Sequence, residues 1–324
     1  MKTVLVTDSS FADLALEEAI LSPLGCSLDP RQCKTPDQLV PAARDADFVL
    51  TQFAPVNRQV IAAMNRATLI VRYGVGVDNV DLDAARERGI AVCNVPDYCV
   101  DEVADQTLAF ILAATRQVVP NCLGLRGGRW GLAVTVPEMK TLRELTVGVI
   151  GLGRIGREVV SRLVPFRCRI LVFDPVVPPA QILALGAQAA PSVDQLLSEC
   201  DLLTIHCPST PRTRRMIGRR EFGRMKPGAI LVNVSRGDIV DTAALVEALE
   251  SGRLGAAALD VCDPEPIPAD HPLLKMPKVT LASHIASVSP AAQRKLREGA
   301  ANAIARAVRG EGLLNVVNGV ERLR

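Results

Sequence analysis

The sequence predicts an α/β protein built from two doubly wound, parallel-sheet domains. Three observations carry that expectation. Short β-branched runs alternate with longer amphipathic stretches, as parallel strands joined by crossover helices do. The alternation breaks off after residue 118 and restarts at Thr146, so the pattern is written twice. The chain has 324 residues, 48% apolar and 22% charged, enough to fill two ordinary cores.

In the first third the strand-like runs are Val4–Thr7, Phe48–Thr51, Leu69–Tyr73 and Ile90–Val95. Helical stretches such as Arg58–Met64 and Asp83–Arg88 lie between them. A long helix is expected over Asp101–Val118, because Val100, Val103, Ala104, Leu108, Ile111 and Leu112 fall on one face. Asp101, Glu102 and Asp105 crowd its first turns, where the helix dipole favours acids. This helix is the expected crossover between domains. Leu123–Leu142, with Gly-Gly-Arg-Trp-Gly and a proline, reads as loop. The second set of runs is Val147–Ile150, Ile170–Phe173, Leu202–Ile205, Ile230–Val234, Ala256–Leu259 and Val279–Ala282. The amphipathic tail Pro290–Arg309 is expected to return to the first domain, since the second has used its own strands. The expected division is therefore 1–98 plus 289–324 against 99–288.

Composition narrows the function. A net charge of +2 gives no reason to expect nucleic acid or an anionic membrane as partner, and 3% aromatic residues leave little for base stacking. Nine dispersed cysteines without a CxxC pair, beside only three histidines, argue against a zinc site and for a reducing compartment. The start is too short in apolar residues for a signal peptide, and no run reaches the roughly 18 residues of a membrane helix. The expectation is a cytoplasmic protein without a metal.

Directly after Val147–Ile150 comes Gly151-x-Gly153-x-x-Gly156, and Arg157–Leu163 continues as a helix. In such a turn the first glycine allows the bend, the second admits a pyrophosphate to the backbone, and the third lets helix pack on strand. Helix N–H groups, including those of Arg154 and Ile155, then face the phosphates. The next run ends in Asp174, 18 residues past Gly156. A carboxylate there takes ribose hydroxyls and repels a 2′-phosphate, so the expected cofactor is NAD. The alternative is a glycine turn without a ligand.

Open parallel sheets bind ligands at the carboxyl ends of their strands. Past the later runs stand His206, Cys207 and Pro208, then Val234, Ser235 and Arg236, then Asp260 and a Pro-Glu265-Pro loop, then His284. Arg236 offers a planar fork to a carboxylate and can polarise a ketone oxygen. His284 can exchange a proton with an alkoxide. Glu265 can hydrogen-bond that imidazole and favour its protonated form. A surface arginine, a packed histidine and a surface loop are the alternatives these residues leave open. His206 and His271 are read as non-catalytic, His206 lining the cofactor cleft. In the first domain, Arg72-Tyr73-Gly74-Val75-Gly76 follows a strand, and its backbone N–H groups can form a nest for a carboxylate or make an ordinary turn.

With these residues placed, the chain resembles the D-isomer-specific 2-hydroxyacid dehydrogenases. The matching stretches are Tyr73–Asp81, Asp97–Leu112, Val147–Gly156, His206–Thr213, Asn233–Asp241, Leu259–Pro266 and Ser283-His284. The resemblance implies Rossmann-like domains, with the nucleotide domain inserted in a discontinuous substrate domain. It also implies a homodimer joined through the nucleotide domain. Arg236 would bind the substrate carboxylate and keto oxygen, and Glu265 would tune His284. Asp260 would contact the nicotinamide amide, and Gly74, Val75 and Gly76 would supply backbone donors. Thr213 falls in the matching stretch beside the cofactor.

Departures bear on the substrate. Phosphoglycerate dehydrogenases hold phosphate with an arginine in the loop after the second strand. Here that loop is Thr51-Gln52-Phe53-Ala54-Pro55, with no cation before Arg58, and no regulatory domain is expected beyond Arg324. Phosphite dehydrogenases carry a lysine near the nest, where this chain has Arg72 and Tyr73. Formate dehydrogenases have glutamine in place of Glu265. C-terminal-binding-protein relatives carry a tryptophan in the segment occupied here by Ala286–Pro290. Phe53 and Pro55 suggest a partly apolar side-chain pocket, with Arg72 as a further candidate for substrate contact. The expected activity is NAD-dependent interconversion of a small 2-oxo acid and its D-2-hydroxy acid. The rival expectation is an NAD(H)-sensing, corepressor-like scaffold with little turnover.

Overall fold

Two parallel sheets organise the chain. The computed structural model describes residues 1–320, which divide into two compact units. One comprises residues 1–99 and those from 289 onward, the other residues 100–288. Residues 321–324, the end of the expected substrate domain, lie outside the described residues.

In the first unit, β1 (Lys2–Val6), β2 (Cys26–Pro30), β3 (Phe48–Thr51), β4 (Leu69–Arg72) and β5 (Ala91–Cys93) form a sheet of order β2-β1-β3-β4-β5. Every pairing is parallel. The crossovers are α1 (Ala15–Leu21), α2 (Pro36–Ala43), α3 (Arg58–Ala63) and α4 (Leu82–Glu87). Asn57 and Asp81 start the last two by accepting the N–H groups of Val60 and Ala84, caps worth about 1 kcal/mol each. Strand side chains alternate between two cores. Val4, Phe48, Leu50, Val71 and Cys93 face one, and Leu5, Val49, Ile70 and Val92 the other. The first core is closed by the tail helix, which contributes Leu296, Ala300, Ala301 and Ile304. A buried ion pair ties that helix to α1. Arg297 grips the fully buried Glu17 at 2.6 Å, and the Tyr73 hydroxyl donates to the same carboxylate at 3.2 Å.

The second unit opens with α5 (Val100–Thr115) and α6 (Val118–Arg126). The strands follow: β6 (Thr146–Ile150), β7 (Arg169–Phe173), β8 (Gln188–Ala189), β9 (Leu202–Ile205), β10 (Ala229–Asn233), β11 (Leu254–Leu259) and β12 (Val279–Leu281). Their order is β12-β11-β10-β9-β6-β7-β8, again all parallel. This is the Rossmann order with one strand added, and it reverses between β6 and β9. The connecting helices are α7 (Arg154–Leu163), α8 (Pro179–Ala184), α9 (Val193–Glu199), α10 (Arg219–Arg224) and α11 (Thr242–Glu250), before α12 (Pro290–Val308) in the first unit. Arg162 of α7 meets Asp101 and Asp105 of α5 at 2.6 and 2.8 Å, so the acids crowding the start of α5 also clamp two helices.

The structure corrects two expectations and adds elements that the sequence reading did not name. Leu123–Leu142 is not all loop, because α6 runs to Arg126 before Gly127 ends it. The helix expected over Asp101–Val118 breaks at Gln117, whose left-handed backbone separates α5 from α6. The elements α1, α2, α8, α9, α10, α11, β2 and β8 lie where no run had been named. Each unit also keeps a cysteine deep in its interior, Cys93 in β5 and Cys200 at the end of α9. Cys93 and Cys200 are fully buried, and burial pushes both thiols up to about 12.

Candidate active site

The turn after β6 is shaped by contacts that side chains would spoil. Gly151 has φ +92°, and a Cβ on it would lie 2.7 Å from the Cys207 nitrogen beyond β9. Gly156 lies inside α7, where a Cβ would come within 2.2 Å of the Gly151 carbonyl oxygen. Gly153, by contrast, faces open space. The first and third glycines therefore let strand and helix meet, and the second leaves room for a ligand at the N-terminus of α7. Arg154 is exposed and Ile155 half-buried at that end.

Asp174 follows β7 and is held by three backbone donors. Its Oδ2 accepts from Leu152 at 2.7 Å, and Oδ1 accepts from Val176 and Val177 at 2.8 and 3.0 Å. Burial pushes this carboxyl up, but those donors and the Arg157 charge outweigh it, so the group sits below its ordinary value. A fixed, charged acid thus stands at the end of β7, on the β7 side of the glycine turn.

Past β9, the His206 imidazole has Nε2 2.8 Å from the Thr204 hydroxyl, while its buried Nδ1 finds no partner among the described residues. Burial pushes its pKa down to about 3, so the ring is neutral. Cys207 accepts a hydrogen bond from the Ser235 hydroxyl. Thr213 donates to the Pro208 carbonyl at 2.7 Å and closes that loop on itself. His271 caps a short helical turn, accepting from Leu273, which accounts for it without a role in the site.

Arg236 follows β10 through Val234 and Ser235. Asn233, almost fully buried, accepts the Ser235 N–H at 3.0 Å and donates to the Arg236 carbonyl at 2.8 Å. It therefore fixes the peptide units on both sides of the Ser235-Arg236 turn. The guanidinium Nη1 donates to the Ser235 carbonyl at 2.8 Å. At Gly237 a Cβ would lie 2.0 Å from the Cys262 carbonyl oxygen, so only glycine lets the loop after β11 come this close. Thr242 holds that loop from the other side, donating to Asp263 at 2.7 Å.

Glu265 and His284 meet directly. Glu265 Oε1 is 2.6 Å from His284 Nδ1. Burial pushes the Glu265 carboxyl up, but the hydrogen bond and charge of His284, the Cys262 N–H and the Arg236 charge outweigh it and hold it below its ordinary value. His284 has a left-handed backbone, φ +58°. Such a residue costs about 1–3 kcal/mol and needs neighbours to hold it. The neighbour is Asp260, whose carbonyl accepts the His284 N–H at 2.8 Å.

The second unit thus places Gly151, Gly153, Gly156, Asp174, His206, Ser235, Arg236, Asp260, Glu265 and His284 at the carboxyl ends of one sheet's strands. The substrate-side candidates Phe53, Arg72, Gly74, Val75 and Gly76 lie in the first unit, and Arg154, Ile155, Cys207, Pro208, Thr213 and Val234 in the second. Gly74 has φ +151°, and its N–H already donates to the Arg72 carbonyl at 2.9 Å. The Arg72 guanidinium lies 6.0 Å from the ring centre of Phe53, which is 60% exposed. Among the described residues no cluster of His, Cys, Asp and Glu could hold a metal ion. Asn233 was not singled out from sequence. Its signal was a polar residue closing the apolar run Ala-Ile-Leu-Val-Asn, two residues before the Ser-Arg pair.

Residues 108–286 match the D-isomer specific 2-hydroxyacid dehydrogenase, NAD binding domain family. The chain is similar to the D-3-phosphoglycerate dehydrogenase of Methanocaldococcus jannaschii, 37% identical over 98% of this chain and 60% of that protein. It is also similar to the glyoxylate reductase of Korarchaeum cryptofilum, 37% identical over 86% of this chain and 85% of that one. The crystal structure of a D-lactate dehydrogenase from Aquifex aeolicus, complexed with NAD and lactic acid, matches with a TM-score of 0.87 at 27% identity, covering 95% of this chain and 96% of that one. The chain spans about 60% of the length of the first phosphoglycerate dehydrogenase relatives. A glycine turn that only backbone can fill, an acid at the next strand end and a domain-length family match agree on the nucleotide. The chain belongs to the D-isomer-specific 2-hydroxyacid dehydrogenase family, and residues 108–286 carry that family's NAD-binding domain.

Proposed function

We propose that the chain is an NAD-dependent dehydrogenase interconverting a small 2-oxo acid and its D-2-hydroxy acid. The observation that carries the reading is the His284–Glu265 pair at 2.6 Å, on the same sheet edge as Arg236 and the glycine turn. Residues 100–288 act as the nucleotide domain and the first unit as the substrate domain. The room at Gly153, the fixed Asp174 carboxylate and the unpartnered His206 Nδ1 fit NAD. Bound NAD supplies the hydride-transfer chemistry. Arg154, Ile155, Cys207, Pro208, Thr213, Val234 and Ser235 complete its site by lining the cleft, and Asp260 faces its amide.

The protein's own residues divide the remaining work. Arg236 binds the substrate carboxylate and stabilises charge on the keto oxygen as it grows. With Nδ1 engaged by Glu265, His284 moves the proton at Nε2, giving it in reduction and taking it in oxidation. Glu265 holds the ring in place through its contact with Nδ1. Since the Gly74 N–H is spent on Arg72, Val75 and Gly76 are the nest donors proposed for the carboxylate. Phe53 and Arg72 bear on the choice of side chain. Relatives named glyoxylate reductase and D-3-phosphoglycerate dehydrogenase support small 2-oxo acids as substrates.

We further propose a cytoplasmic homodimer. None of the nine cysteines is in a disulfide, which suits a reducing compartment. Val118, Leu123, Leu125, Trp130, Leu132 and Val136 stand exposed within one short stretch, which suits burial against a partner. No single described helix is long and apolar enough to cross a membrane. The deciding experiment is a panel of 2-oxo acids, glyoxylate and pyruvate among them, with NADH consumption as readout. Turnover of any member supports the dehydrogenase. Tight NADH binding without turnover of any acid would leave the NAD(H)-sensing scaffold as the better reading.

A further inference from the structure

Asp260 is the most deeply buried carboxylate of the site. It is 2% exposed, and both oxygens accept backbone N–H groups, Oδ1 from Ile285 and Oδ2 from Ala286, each at 2.9 Å. Its own N–H donates to the Asn233 carbonyl, and its carbonyl accepts the His284 N–H, at 2.9 and 2.8 Å. One residue at the end of β11 therefore grips three consecutive N–H groups, those of His284, Ile285 and Ala286. The first of these residues has the left-handed backbone. Its imidazole points Nδ1 at Glu265.

From this geometry we propose that Asp260 is a positioning residue for His284. Its carboxylate locks the two peptide units that follow the histidine, and so holds a strained backbone conformation that aims the ring at Glu265. The physical reason is directional. An uncompensated carboxylate is costly to bury, and here two backbone N–H groups compensate it. Those donors belong to the residues directly after His284, so the carboxylate's need for them dictates the path of the chain there. Removing it leaves two buried N–H groups seeking partners, and the turn relaxes with the imidazole attached. A contact with the nicotinamide amide is compatible with this role but does not require it, because the role acts through the protein backbone. The proposal rests on the reading of His284 as acid–base.

The test uses Asp260→Asn and Asp260→Ser in the full chain, beside His284→Asn and wild type. Asparagine keeps the shape but turns one acceptor into a donor facing an N–H. Serine is smaller and adds no misplaced amide. There are three histidines, His206, His271 and His284. Nitrogen-15 histidine spectra therefore resolve each ring, and His284→Asn assigns its own. The expected result is a fall in kcat of about 10- to 100-fold in both Asp260 variants, smaller than the roughly 10²–10⁴-fold loss of a general acid. Any loss of NADH affinity, through the amide contact, is smaller than the loss of kcat. The His284 nitrogen signals move while those of His206 and His271 stay, and the pH profile of reduction changes shape. Unmoved His284 signals in a folded Asp260 variant would overturn the proposal. So would a loss of NADH affinity with the pH profile intact, which marks a cofactor contact alone. If Asp260→Asn fails to fold, Asp260→Ser carries the same readouts. Undiminished turnover in His284→Asn would sink the acid–base reading instead, and is scored separately.

Discussion

The residues that matter here are placed by backbone hydrogen bonds more than by contacts between side chains. His284→Asn should retain NADH binding and lose about 10²–10⁴ in turnover, measured as steady-state kcat beside fluorescence titration of NADH. Asp174 is oriented by three N–H groups before any ligand arrives. Asp174→Ser should raise the NADH KM about tenfold or more, since a charged hydrogen bond is worth roughly 1.5–3 kcal/mol, and should narrow the preference over NADPH. An unchanged NADH/NADPH ratio would remove that residue from cofactor choice. Glu265 gives the pH dependence. Its folded carboxyl lies below the ordinary 4.5, so its stabilising pair is fully in place above that value and is lost as pH falls through the folded one. The difference in Tm between wild type and Glu265→Gln should therefore be constant at neutral pH and close in acid, as thermal melts across pH will show.

At the scale of elements, the strongest test falls on the turn after β6. Gly156→Ala sets a Cβ against the Gly151 carbonyl, a contact that backbone must yield to. Overpacking of this kind costs about 1–3 kcal/mol. The melting temperature should fall by several degrees and NADH affinity with it; a variant as stable and as tight as wild type would show that α7 need not approach β6 so closely. The same elements show what the sequence made legible. β3 and β9 ran as read, Phe48–Thr51 and Leu202–Ile205, because fully buried parallel strands are continuous apolar runs. β2, Cys-Ser-Leu-Asp-Pro, escaped notice because an edge strand tolerates polar residues and a proline. β8 is two exposed residues at the other sheet's edge. α6 was partly hidden by Pro120, Gly124 and the Gly127-Gly128 pair, which read as loop. In the site, Arg236, Glu265 and His284 were visible as polar residues at strand ends. The clamps behind them were not. Asn233 and Asp260 announce themselves as polar positions, but their partners are backbone atoms that no residue letter encodes.

For the whole molecule, membership of the dehydrogenase family supports the proposed chemistry, and the exposed stretch around Trp130 supports the proposed assembly. Trp130, 90% exposed, is the largest of the apolar side chains there. Light scattering should give twice 34.6 kDa for wild type, and Trp130→Asp should shift the distribution toward 34.6 kDa at low concentration. A wild-type chain that stays at the lower mass when concentrated would count against the dimer. Two of the five buried cysteines lead somewhere different. Cys93 lies in β5 of the first unit and Cys200 at the C-terminal end of α9 in the second, each fully enclosed and each with its thiol pushed to about 12. Neither can react with a labelling reagent until the structure around it opens. The protein thus carries one stopwatch in each half. Labelling rates followed by mass spectrometry, peptide by peptide, time the breathing of the two halves in one tube. Saturation with NADH, at about 100 times its Kd, adds roughly 2.7 kcal/mol to opening of whatever it binds. The clock at Cys200 should slow about a hundredfold while the clock at Cys93 keeps its pace.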